Sequence, residues 1–413
     1  MAKADLMNGD AVGASGHGGL LHQPPAVWAI TFACVVSYMG IGLVDPILPT
    51  IAEGLDATAG QTELLFTSYL FVTAIVMFFS AWVSSRFGVK RTLIAGLVLI
   101  ILFAAGCSVA TGVDQIIGFR AGWGLGNALF VSTALAAIVA STAKSAMAIV
   151  LYEAAIGLGF AIGPMVGGLL GEVSWRGPFA GTAVLMALGL VAVIVFFRGD
   201  AVAPATGVRF FDGVRGAADR RMAPLAGGAL FYNFGFFMML AYAPFPLAEA
   251  AHASGRPFTP MDLGLVFFGW GLALAVSSVF AAPRIEQAFG VARVIPVVLV
   301  LLTLDMAGLA LFVDNLTALI VLVIAGGLLL GVMNTLLTTA SMSSTTLPRP
   351  VASSAYSGVR FIGSAMAPTL VGPLEKLGIA APFTAGTVAC AIALVVLGLW
   401  ARAHARRSRV VLA

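Results

Sequence analysis

Long apolar runs separated by short polar breaks cover almost the whole chain. Stretches of spanning length occur at residues 26–51, 63–85, 92–112, 115–139, 145–170, 177–197, 223–247, 262–283, 292–313, 316–340, 352–374 and 381–401. At a helical rise of about 1.5 Å per residue, each crosses the roughly 30 Å hydrocarbon core of a bilayer. Backbone amides in hydrocarbon need partners within their own segment, so each run is predicted to be a helix. The pattern therefore predicts an all-α, polytopic membrane protein with 12 transmembrane helices. Residues 1–25 are polar and lack the apolar core and cleavage site of a signal peptide, and they read as a disordered cytoplasmic tail. One break, 198–222, is much longer than the others. Read as a cytoplasmic linker, it divides the chain into two bundles of six helices, 26–197 and 223–401, with a basic tail at 402–413.

Basic residues orient this pattern. With the N-terminus inside, the cytoplasmic breaks and tails carry 17 Lys and Arg, including Arg86, Lys90 and Arg91, and the outer side carries three, Arg176, Arg256 and Lys376. The positive-inside rule then predicts both termini on the cytoplasmic side.

Composition agrees with the pattern and excludes other classes. The chain is 60% hydrophobic and 10% charged, whereas a soluble domain carries about 25% charged residues. The net charge of +4 reads as topology, not as a nucleic-acid footprint. Cys34, Cys107 and Cys390 all fall inside apolar runs with no C-x-x-C spacing, which points to packing and away from disulfide or metal chemistry. The four histidines, His17, His22, His252 and His404, lie in tails or a loop, and no Ser/His pair or H-E-x-x-H motif is present. No enzyme activity, cofactor or metal is expected.

The two halves repeat each other. Tyr152-Glu153-Ala154-Ala155-Ile156-Gly157-Leu158-Gly159 aligns with Tyr356 to Gly363 at a shift of 204, and Phe87-Gly88-Val89 aligns with Phe289-Gly290-Val291 at a shift of 202. Two inverted or rotated repeats around a midplane site are the layout of a secondary transporter.

These segments also carry a family resemblance. Ala81-Trp82-Val83-Ser84-Ser85-Arg86-Phe87-Gly88-Val89-Lys90-Arg91 resembles the signature G-x-x-x-D-R-x-G-R-R, departing from it at Ala81, Ser85 and Val89. Arg120-Ala121-Gly122-Trp123-Gly124-Leu125-Gly126-Asn127-Ala128 resembles R-x-x-Q-G-x-G-x-A, with Trp123 for Gln. Gly159-x-x-x-Gly163-Pro164-x-x-Gly167-Gly168 matches the helix 5 antiporter motif. The chain resembles the major facilitator superfamily, in its 12-helix drug:proton antiporter branch of bacterial multidrug exporters. The resemblance implies a monomer in the bacterial cytoplasmic membrane that exchanges protons for a small-molecule substrate. Two readings of that substrate stay open: lipophilic or cationic drugs, or one endogenous metabolite such as a siderophore or pathway product.

Ionisable groups at mid-bilayer cost at least about 2.5–3.5 kcal/mol each, which makes them functional candidates. Asp45, before Pro46, reads either as the main proton-coupling carboxyl or as a cap where the helix breaks. Arg120 is expected to organise the site by donating to helix 1 carbonyls or to Asp45, and the resemblance implies a part for it in the proton relay. Glu153 is the second coupling candidate, the alternative being a neutral hydrogen-bonded acid. Arg360 is expected to pair with a carbonyl or with an acid across the interface. Asp305 reads as a satisfied structural carboxyl. Glu63 and Asp262 fall at helix ends and read as interfacial.

Glycines four apart, Gly159, Gly163 and Gly167, allow close helix approach, and Pro164 permits a bend. Together they suit the seam between halves that open and close. Arg86, Lys90 and Arg91 read as anchors or as a cytoplasmic latch, although Ser85 replaces the acid that would pair with them. The substrate cavity is expected to be lined by Tyr38, Phe66, Tyr69, Trp123 and Asn127 from the first half. Tyr232, Asn233, Phe236, Phe237, Trp270 and Asn334 are expected from the second. An aromatic wall with one or two acids suits lipophilic cations through stacking and cation–π contact.

Overall fold

The computed structural model describes residues 23–43, 51–52, 54–57, 59–142, 145–197, 207–255 and 258–411. Within them are 12 long helices. We number them α1 (Pro25–Gly42), α2 (Ala59–Phe87), α3 (Val89–Val109), α4 (Val113–Ser141), α5 (Ser145–Val173), α6 (Gly177–Phe196), α7 (Ala223–Tyr242), α8, α9 (Val291–Leu311), α10 (Leu316–Ser344), α11 (Arg349–Glu375) and α12 (Ala381–Val411). Helix α8 consists of Pro260–Val276, a π turn at Ser277–Ala281, and Ala282–Phe289. Its irregularity has a local cause. Pro283 has no N–H for the carbonyl one turn back, and the π turn just before it absorbs the break.

Eleven of the helices are long and apolar enough to cross a membrane. The remaining one, α11, is as long as the rest at 27 residues but richer in polar groups. Ser353, Ser354, Ser357, Arg360 and Ser364 are all buried along it. Helix α11 packs on α2 and α7, so protein and not lipid surrounds much of it. The chain is a multi-pass, all-α membrane protein of two pseudo-symmetric six-helix bundles.

The repeat is visible in the backbone. Gly88 and Gly290 cap α3 and α9 with φ of 84° and 78°, a left-handed conformation that favours glycine. On α5, a Cβ at Gly159 would stand 2.6 Å from the Val35 carbonyl of α1; on α11, a Cβ at Gly363 would stand 2.1 Å from the Leu230 carbonyl of α7. Both glycines therefore approach a backbone carbonyl of the first helix of their own half, and the two glycines are 204 positions apart, as the repeat predicts.

The halves touch chiefly through α2 against α11 and α5 against α8. A short helix, Asp212–Ala217, packs on both α2 and α11, so part of the segment read as a plain linker is ordered against the seam. Residues 1–22 and 198–206, which include the N-terminal tail and the start of the linker, lie outside the described residues. Helix α12 runs on past residue 401 to Val411, since its alternating Ala and Arg are good helix formers and no Gly or Pro interrupts them.

Candidate functional site

At the centre of the molecule the two halves are joined by buried polar side chains. Glu153 on α5 is completely buried, and its carboxylate lies 3.5 Å from the Arg360 guanidinium on α11. Glu153 Oε1 also accepts a 2.7 Å hydrogen bond from Thr338 on α10. Oε2 accepts none among the described residues, leaving its lone pairs open. Arg360 is held from its own half as well: its Nε donates to Asn233 Oδ1 at 3.3 Å, while the Asn233 amide donates to the Arg360 carbonyl at 3.0 Å and to Ser364. Two further pairs flank this cluster. The Tyr232 hydroxyl donates to Asn334 at 2.7 Å, and the hydroxyls of Tyr38 and Tyr152 lie 2.7 Å apart.

An aromatic cluster adjoins these groups. Phe160 on α5 is ringed by Tyr38 (5.8 Å between centroids), Phe236 (5.8 Å), Phe237 (6.1 Å) and Trp270 (5.8 Å). Phe236 stacks on Trp270 at 5.3 Å with 17° between planes. Rings from α1, α5, α7 and α8 thus meet across both halves. The expected cavity residues Tyr38, Tyr232, Asn233, Phe236, Trp270 and Asn334 are all brought together here.

Arg120 forms a second, separate centre inside the first half. Its Nε donates to the Leu65 carbonyl of α2 at 3.1 Å, and its Nη1 to the Gly40 carbonyl of α1 at 3.2 Å. The guanidinium also lies over the rings of Tyr69 (4.6 Å) and Trp123 (5.1 Å). Trp123 fills the space beside Gly40, where a Cβ would approach its ring to 2.6 Å. This arrangement ties α1, α2 and α4 together. Asn127 joins it by accepting from Ser37.

Several expectations are corrected by this geometry. Tyr69 and Trp123 are fully buried partners of Arg120 and do not join the aromatic cluster. Phe66 is buried on α2 with no ring contact to that cluster among the described residues. The stripe Gly159, Gly163 and Gly167 faces α1 of its own half and not the other bundle: a Cβ at Gly163 would meet the Met39 carbonyl at 2.7 Å, and one at Gly167 the Leu43 carbonyl at 2.3 Å. Pro164 packs beside Gly42 in the same interface. The close approach between halves uses the next face of α5 instead, with Gly157 against Ala275 and Ala161 against Gly271 of α8.

Nor is Asp305 satisfied. It is buried on α9 with Oδ2 accepting no hydrogen bond among the described residues, in the space left by Gly326. Asp45, with Pro46 and Pro49, lies outside the described residues, as does the Glu63 side chain.

The basic loop makes no ion pair among the described residues. Lys90 donates to the Ile194 carbonyl of α6 at 3.2 Å, and Arg86 lies 6.0 Å over the Trp82 ring. On the side of the chain termini the halves are closed by small groups together with Arg349, which donates to the Val139 carbonyl of α4 at 3.4 Å. Ser354 of α11 bonds to Ser80 at 3.2 Å and donates to the Met77 carbonyl of α2, while Ser353 donates to the Ser132 carbonyl of α4 at 2.9 Å. Gly358 packs on the Phe78 ring, and Gly213 of the short helix sits over the Phe78 carbonyl.

Sequence reasoning missed Phe160, Thr338 and these serines. Phe160 could have been found, because it follows Gly159 in the motif and the repeat aligns it with Ser364, which binds Asn233.

Comparison with known proteins agrees with this architecture. The Major Facilitator Superfamily profile matches residues 30–368. The "Multidrug efflux protein YfmO" of Bacillus subtilis (strain 168) is 48% identical over 388 residues, spanning 94% of this chain and 95% of that protein. The "Multidrug resistance protein 1" of the same organism is 25% identical over 385 residues, spanning 90% and 96%. In structure, the chain resembles the human organic anion transporter MFSD10 (TETRAN), with a TM-score of 0.74 at 16% identity, covering 90% of this chain and 99% of that one; this is a likeness of fold. Two repeated six-helix bundles meeting around buried polar groups, with a profile match over most of the length, mark the chain as a transporter of small molecules that belongs to the Major Facilitator Superfamily.

Proposed function

We propose that this chain is a proton-driven exporter of lipophilic or cationic drugs, acting as a monomer by alternating access in the bacterial cytoplasmic membrane with both termini inside. The observation that carries the reading is the buried Glu153–Arg360 pair, because it is an ionic contact between the two moving halves. Two buried opposite charges are held together only while both are charged; removing one leaves the other uncompensated, at roughly 3–5 kcal/mol. A proton landing on Glu153 Oε2 cancels the attraction and releases Arg360 to Asn233 and its own half.

In the closed arrangement of α2 and α11, a proton arrives from outside, the pair parts, and the halves reopen toward the cytoplasm. There the proton leaves and a substrate enters the aromatic cluster. The re-formed pair then returns the loaded protein outward. A driving force of about 150 mV supplies roughly 3.4 kcal/mol per proton, enough for about a 300-fold gradient of a neutral substrate. Arg120 holds the first half rigid during this movement. Asp45 is the other carboxyl that fits a coupling role. The names of the two Bacillus subtilis relatives support drugs over a single metabolite.

The test is efflux from proteoliposomes under an imposed pH gradient, with a panel of cationic dyes, neutral lipophilic antibiotics and anionic siderophores. Gradient-driven transport of several unrelated cations is expected, and it should vanish in Glu153→Gln while dye binding persists. Transport of one panel member alone, or full coupling in Glu153→Gln, overturns the reading.

A further inference from the structure

Away from the centre, α9 and α12 part at the termini side of the second half and leave a groove of about 600 Å³ on the outer surface of the bundle. Its wall has two chemistries. Arg293 at the start of α9 and Arg402 near the end of α12 contribute guanidiniums from two different helices. Deeper along the same helices the lining is wholly apolar, with Pro296 from α9 and Leu394, Val395, Gly398 and Leu399 from α12. No acidic residue lines the groove, and neither arginine makes an ion pair or hydrogen bond among the described residues.

Arg293 and Arg402 sit at the polar ends of spanning helices, which is headgroup depth, while the apolar lining runs back into the hydrocarbon span. Gly398 keeps the floor open: a Cβ there would meet nothing within 4 Å. A single bound molecule that satisfies both parts must carry an anionic phosphate at one end and an acyl chain at the other. Basic pockets between transmembrane helices on this side of a membrane hold anionic headgroups, and guanidinium forks match phosphate oxygens geometrically.

We propose that the α9–α12 groove is a binding site for an anionic phospholipid, with its phosphodiester between Arg293 and Arg402 and an acyl chain along Pro296, Val395 and Gly398. The occupant is a structural lipid, and the site is distinct from the central cluster, which lies on other helices. Arg284, on the same side of the protein at the end of α8, bonds to its own helix at the Phe280 carbonyl and does not line the groove, so it serves as the charge control.

The experiment uses the full-length protein purified in a neutral detergent. Thermal unfolding is followed while phosphatidylglycerol, phosphatidylcholine, or inorganic phosphate with free detergent is added, and retained lipid is counted by native mass spectrometry. Phosphatidylglycerol is expected to raise the midpoint by several degrees and to remain bound at about one molecule per chain. The two controls should do neither. The double variant Arg293→Gln/Arg402→Gln should lose at least ten-fold in apparent affinity, and Gly398→Leu, which keeps both charges but fills the floor, should lose the retained lipid. Arg284→Gln should respond as the native protein does. An equal response to phosphatidylcholine, a response to phosphate alone, equal loss in Arg284→Gln, or full retention in both groove variants overturns the proposal.

Discussion

Glu153 and Arg360 come from opposite halves of the repeat, 207 positions apart in the chain, and meet 3.5 Å apart with neither open to water. Arg360 has a second partner in Asn233 of its own half, whereas the further partner of Glu153 among the described residues, the Thr338 hydroxyl, belongs to the opposite half. The pair is therefore asymmetric. When it breaks, the arginine keeps hydrogen-bond company in its own half and the carboxyl must be neutralised.

That asymmetry sets the outcome of a double-variant cycle read by thermal unfolding. Arg360→Gln leaves Glu153 uncompensated and should destabilise by about 3–5 kcal/mol. Glu153→Gln should cost less, because Asn233 still serves the arginine. Combining the two should recover most of the loss without restoring gradient-driven efflux. Simple addition of the two losses would mean that the groups do not interact.

At Gly163 a larger side chain meets the Met39 carbonyl of α1, inside one half. Gly163→Leu should therefore lower the unfolding midpoint, at an overpacking cost of about 1–3 kcal/mol or more. Gly271→Leu, pressed against the Ala161 backbone of the other half, should instead leave each bundle intact and slow exchange between open and closed forms. Cysteine cross-linking between α5 and α8 distinguishes the two. A folded, slow-exchanging Gly163→Leu combined with normal exchange in Gly271→Leu would reverse this assignment.

Arg120 donates in two directions at once, to Leu65 and Gly40, while its face covers two rings. A lysine keeps the charge but not the planar fork. Arg120→Lys should reduce transport at least ten-fold, corresponding to about 1.4 kcal/mol, and Arg120→Ala should fail to accumulate. Unchanged transport in Arg120→Lys would show that charge alone suffices.

Asp305 loses no hydrogen bond at Oδ2 when it is replaced. Asp305→Leu should raise stability by about 1 kcal/mol with transport retained, since it removes a buried polar group without a partner. A fall in the unfolding midpoint or loss of efflux would reveal a partner that forms during the cycle.

Topology can be read from labelling, because Cys34, Cys107 and Cys390 are all buried and give little background. Gly207 has φ of 80° and resists substitution, so exposed Arg209 is the better site. An impermeant maleimide should label Arg209→Cys only after it gains access to the cytoplasm. Labelling of intact cells would invert the orientation.

Run length alone made the 12 helices legible, and the repeat was legible in Gly88 and Gly290, where backbone conformation demands the residue. Helix α11 was legible as a span although its serines make it less apolar, because length and the repeat compensated. An acid across the interface was one of two partners expected for Arg360, but that it is Glu153 was not readable, since a single sequence gives the cost of each buried charge but no distance between them. The glycine stripe misled for a related reason: small residues announce close approach and leave the neighbour unnamed. Tyr69 and Trp123 looked like cavity wall because an aromatic ring reads the same whether it meets a drug or an arginine. Thr338, Ser353 and Ser354 gave no signal, as hydroxyls are cheap enough in a helix to pass for filler.

The contacts of Ser353 and Ser354 give the termini-side closure an unusual electrical character. Serine hydroxyls carry no net charge and do not titrate in the physiological range, and each hydrogen bond exchanged for one with water nets only about 0.5–1.5 kcal/mol. Salt does not screen such contacts as it would a latch of opposite charges. These serine contacts are thus deaf to both acidity and ionic strength, whereas Arg349 beside them, donating to the Val139 carbonyl of α4 at 3.4 Å, brings a charge to the same closure. Under the proposed cycle protons act on buried carboxyls, so the serine part of this closure follows the centre and does not itself sense acid.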